Sequence, residues 1–145
     1  MAIAYGARAG SNKGTTQVSS FTITTTADIP AGSLIIVSVG CGNVGDLSNL
    51  TSVTDSAGNV YQSAAFTVDA GQNTLAAVWY SVTGNALLTG GTITVTLHAA
   101  LLASGEFWTG SVDYLTGAAT TTPVDGTATH NSQTAETWDS NAVTT

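Results

Sequence analysis

Basic side chains are almost missing from this sequence. Arg8 and Lys13 are its only Arg and Lys, and all nine Asp and Glu come after them, for a formal net charge of −7. A body with no cation beyond residue 13 repels phosphate backbones and anionic lipid surfaces, so neither nucleic acid nor a membrane is expected as a partner. Cysteine is limited to Cys41, which excludes an internal disulfide framework. Cys41 ends an apolar run and reads as a buried, inert thiol. Proline occurs twice, and charged residues make up 8 % of the chain, against about 25 % in an average soluble protein. No stretch of about 11 to 18 residues keeps a helical stripe, which argues against helices between the strands and so against parallel βαβ folds. No apolar run approaches a membrane span, and "MAIAYGARAG" lacks the pattern of a secretory signal.

What is present is Thr, Ser and Gly. Thr and Ser fill roughly a quarter of the 145 positions, and Gly adds 16, a composition suited to strands and tight turns. A chain of this length can bury roughly two thirds of its unfolded surface in one domain. Its apolar residues alternate. "TITVTLH" from Thr92 predicts Ile93, Val95 and Leu97 on the inner face, with Thr92, Thr94, Thr96 and His98 outside. "FTITTT" from Phe21 behaves alike, whereas "LIIVSVGC" from Leu34 reads as a central strand covered on both sides. "LTSV", "VYQSAAF", "TLAAVWYSV" and "EFWTGSVDYL" add four more, the last with Trp108, Val112 and Tyr114 on one face. Seven strands at about ten-residue spacing predict an all-β chain, an antiparallel β-sandwich of about seven to eight strands.

Three regions follow: a flexible basic arm over residues 1–16, a sandwich over 17–116, and a polar, Thr-rich edge strand or strap over 117–145. The last region contains no strongly apolar strand to close the second sheet. The expectation is that a neighbouring subunit covers that edge or that more polypeptide does so.

"VTDSAGNVY" from Val53 places Asp55, Gly58 and Asn59 where one strand reverses into the next. A calcium loop needs oxygen ligands at alternate positions and a distant bidentate carboxylate, so this stretch reads as a turn capped by Asp55. There is no nucleophile elbow, no phosphate-binding Gly-rich loop and no zinc spacing, and the two histidines are His98 and His130. Glu106 and Asp113 are an odd number of residues apart on one strand, which sends them to opposite faces rather than into one glycosidic site. No catalytic residue, metal or cofactor is expected, and the chain reads as a non-enzyme. Tyr5, Arg8 and Lys13 on the arm are candidates for docking on an acidic neighbour. Trp79, Trp108 and Trp138 are the alternative candidates, as flat faces for a surface glycan.

The stretches "DIPAGSLIIVSVG", "LTSVTDSAGNVY", "LAAVWYSVTGNALLTGGTITVTL" and "GSVDYLTGAATTTPVDGTAT" resemble a β-sandwich module, jelly-roll or Ig-like. It recurs in virion proteins of tailed phages and in bacterial surface proteins. Asp55–Asn59, the Trp79–Tyr80 pair and the strand around Asp113–Gly117 carry most of the likeness. The resemblance implies a structural or adhesive role without catalytic residues. Its first form is a capsid decoration (cement) protein on the virion surface, assembled in the host cytoplasm. Such a protein would form a dimer or trimer and bind capsid or other virion proteins. Its second form is a carbohydrate- or receptor-binding module of a tail fibre or of a bacterial cell surface.

Overall fold

The computed structural model describes residues 2–16, 18–42, 50–69, 74–97, 107–119, 121 and 123. Within them the chain forms eight strands and no helix. They are β1 (Ala4–Gly14), β2 (Ser20–Thr24), β3 (Leu34–Gly42), β4 (Leu50–Asp55), β5 (Gln62–Asp69), β6 (Thr74–Val82), β7 (Thr92–Leu97) and β8 (Phe107–Thr116). Five strands make one sheet in the order β1-β8-β3-β6-β5, and three make another in the order β2-β7-β4. Every pairing is antiparallel.

The two sheets face each other across one core. From the three-stranded sheet, Phe21, Ile23, Val53, Ile93, Val95 and Leu97 point inward and are buried. The five-stranded sheet answers with Ile35, Val37, Val39, Cys41 and Val112. Each such side chain is worth about 1.5–3 kcal/mol on leaving water, which is why strict alternation fixes the register. Gly110 and Gly10 let the layers close. A Cβ on Gly110 would stand 2.8 Å from Ile23 Cδ1, and one on Gly10 would stand 2.6 Å from the Thr24 carbonyl oxygen.

Three crossovers between the sheets, 25–33, 56–61 and 83–91, meet at one end. Ile29 and Leu87 exchange backbone hydrogen bonds of 2.9 and 3.0 Å there and are 0 % and 2 % exposed. They extend the core beyond the strands.

The seven strands expected from alternation are β2 to β8, and the all-β, antiparallel reading holds. Two expectations change. Residues 4–14 are not a flexible arm but the edge strand β1, paired along its length with β8. Two bulges interrupt β1, between Tyr5 and Ala7 and between Arg8 and Gly10, so its sequence shows no period of two. β3 is central, as expected, but its outer face is covered only in part: Leu34 is buried there and Ser38 is exposed. Glu106, His98, His130 and almost all of the strap over 117–145 lie outside the described residues.

Candidate functional site

The bulges in β1 decide where its functional side chains go. In a regular strand, residues three apart face opposite ways. Each bulge inserts one extra residue, Gly6 and then Ala9, so Tyr5, Arg8, Ser11 and Lys13 stand opposite Leu115, Asp113, Ser111 and Thr109 of β8. All four therefore belong to the outward side of the five-stranded sheet. The three docking candidates are brought onto one exposed face of one edge strand.

Asp113 organises this row. It accepts a hydrogen bond from the Tyr5 hydroxyl at 2.8 Å and an ion-paired contact from Arg8 Nε at 3.4 Å. Arg8 Nη2 reaches the other carboxylate oxygen at 3.5 Å. Donating to that carboxylate raises the Tyr5 phenol above its ordinary value. The Arg8 side chain is 62 % exposed, so the pair stabilises the fold by no more than about 1 kcal/mol. Its effect is positional: it holds Tyr5 and Arg8 against the sheet. Lys13 differs, for among the described residues its ammonium group has no side-chain partner and it is exposed.

The Asp55 corner is the other polar cluster. One carboxylate oxygen accepts the backbone N–H of Ala57 at 2.9 Å and of Asn59 at 3.0 Å. The second accepts Asn59 Nδ2 at 2.8 Å and the Tyr61 hydroxyl at 3.0 Å. Asn59 in turn grips the next crossover, accepting the Asn85 N–H at 3.0 Å and donating to the Asn85 carbonyl at 3.1 Å. Asn85 Nδ2 donates back to the Ala57 carbonyl at 2.9 Å. Gly58 makes the reversal with φ of 78°, a conformation that favours glycine. Tyr61 is buried, and desolvation, helped by the Asp55 charge and hydrogen bond, pushes its phenol far above the ordinary value. Both carboxylate oxygens are committed to donors, so the cluster works as a capped turn. Among the described residues no group of three or more His, Cys, Asp or Glu is placed to hold a metal ion.

The chain matches no family model, no curated protein and no solved structure.

The glycan candidates are placed differently from the docking row. Trp79 and Trp108 are partly buried and pack against the core cluster. Trp108 stacks on Phe21 with ring centroids 4.4 Å apart, and its Nε1 donates to the Thr16 carbonyl at 3.2 Å. Trp79 lies on the inward side of β6, between Ala77 and Ser81, and its Nε1 is buried without a hydrogen-bond partner among the described residues. Trp138 lies outside the described residues. Sequence reasoning missed Asp113 as the organiser of the docking row and Asn85 as the partner of Asn59. Both contacts join residues far apart in the chain, and no local pattern announces them.

Proposed function

We propose that this chain is a structural virion protein of a tailed phage, a capsid decoration (cement) protein that bridges neighbouring capsid subunits. One observation supports this reading above others: the chain's only two basic side chains, with Tyr5, share the outward face of an exposed edge strand. A rigid sheet margin carrying cations on an otherwise acidic chain suits docking against an acidic protein neighbour, steered by charge. The resistance to separation would come from contact area and strand rigidity, with no chemical step.

Co-sedimentation of purified protein with undecorated capsids tests this. Lys13→Glu is expected to weaken association about 3- to 30-fold, and raising the salt is expected to weaken the wild type. Wild-type protein that fails to bind any capsid surface, or binding indifferent to both salt and Lys13→Glu, would overturn the proposal.

A further inference from the structure

The two outward faces of the sandwich are chemically unlike. On the three-stranded sheet the outward positions are hydroxyl-bearing: Thr22 and Thr24 on β2, Thr92, Thr94 and Thr96 on β7, and Thr54 on β4. That is the ordinary solvated side of an antiparallel sheet. The five-stranded sheet has an apolar patch in the same place. Its outward rows set Leu34 between Leu115 and Val82, Ile36 between Asp113 and Tyr80, and Ser38 between Ser111 and Val78. Ile36, Val78, Tyr80, Val82 and Leu115 are half-buried, and Phe107 on the same side is 51 % exposed above Gly42. Contiguous apolar surface of this kind marks a place of association.

From these rows we infer that a second copy of this chain seats on the outward face of the five-stranded sheet, sheet against sheet, about a two-fold axis. The inference names the occupant of one face and rests on the reading of the chain as a contact protein. Size is the first argument. Five strands about 4.8 Å apart and the nine residues of β3 at about 3.3 Å each give a footprint of roughly 700 Å². A standard interface needs about 800 Å² per partner, so one such face is close to sufficient.

Charge is the second. A chain of net charge −7 repels its own copy, yet the only charges at the centre of this face, among the described residues, are Arg8 and Asp113, paired with each other, with Lys13 on β1 and Asp69 at the end of β5 at its margins. Two such faces meet with their apolar rows central and the Arg8–Asp113 pair neutral beside them. A two-fold parallel to the strands lays β1 of one copy over β5 of the other. Of the outward register positions there, Gln62, Ala65 and Thr67 are uncharged, and the acidic Asp69 comes opposite Thr74 at the end of the strand. Each Lys13 thus lies at the lateral edge of the contact, away from its counterpart and beside the β5 edge of the other copy.

Ser38 tests this cleanly, because it is exposed at the centre of the face and a larger residue there leaves the core untouched. Sedimentation velocity of the full chain at about 50 µM, above the micromolar Kd expected of an interface this size, is expected to show a dimer of the 14.5 kDa chain. Ser38→Arg should raise the dimer Kd at least about 30-fold, and Val78→Lys should act likewise. Thr22→Arg, exposed on the other sheet, should leave the dimer intact. A monomeric or trimeric wild type overturns the inference, as does equal dissociation by Ser38→Arg and Thr22→Arg. A monomer whose melting temperature falls on Ser38→Arg also overturns it, since the face is then covered from within the chain. Capsid binding by a monomer sinks this inference alone, and a dimer that binds no capsid sinks the proposed function alone.

Discussion

Replacing Asp55 by Ala should be among the most damaging single changes to this fold that leave its apolar core intact. The substitution removes the acceptor of four hydrogen bonds at once. Two of the donors, the Tyr61 hydroxyl and the Asn59 amide, belong to buried residues, at 8 % exposure each. A buried donor left without a partner costs about 1–3 kcal/mol, and the two backbone N–H groups lose a charged acceptor as well. Non-additivity within one cluster keeps the sum near 3–5 kcal/mol. Total stability for a domain is about 5–15 kcal/mol, so the variant loses a large share of it. Urea unfolding followed by Trp fluorescence should show the loss as a shifted midpoint with unchanged slope. A thermal melt should fall by roughly 6 to 20 °C. Asp55→Asn retains the shape but turns a donor toward donors, and it should fall between the two. A loss below about 1 kcal/mol for Asp55→Ala would refute the corner's structural role. So would a wild-type melting temperature that drops with a chelator and recovers with calcium, because the carboxylate would then be holding an ion.

The remaining expectations concern the same corner and the sheet contact. Burial, and after it the Asp55 charge, raise the Tyr61 phenol above its ordinary 10.0. A raised group keeps its contribution below the unfolded value and loses it as pH climbs beyond, so stability should decline by about 1.4 kcal/mol per pH unit above 10. Tyr61→Phe should flatten that slope in urea titrations, and an unchanged slope would assign the alkaline loss elsewhere. Gly10→Ala should cost about 2–3 kcal/mol, more than Gly110→Ala, because its Cβ meets the backbone oxygen of Thr24 whereas Gly110 faces the ends of side chains. Melting temperatures in the reverse order would show that β1 moves more easily than its pairing with β8 suggests.

Much of this protein is legible as sequence. Alternation at Phe21–Ile23 and at Ile93–Leu97 identifies strands and their inner faces because a pleat repeats every two residues and a half-buried strand exposes only one side. The Asp55 turn is legible because its chemistry is local: the carboxylate caps N–H groups two and four residues on. Scarce cations and a single cysteine bound the possible partners on composition alone.

Tertiary structure decided the rest. β1 is hidden in "AYGARAGSNKG" because two bulges break its period and because its inward residues are small, with Gly10 held against β2 by space rather than by hydrophobicity. The same bulges place Tyr5, Arg8 and Lys13 on one face, which their spacing in the chain does not suggest. Alternation divides Trp79 from Tyr80 but says nothing of which side is core. Packing of β6 between β3 and β5 sends Trp79 inward and leaves Tyr80 on the outer sheet. Pairing across more than a hundred residues, Tyr5 and Arg8 with Asp113, depends on β1 and β8 lying side by side, and only the folded sheet brings them there.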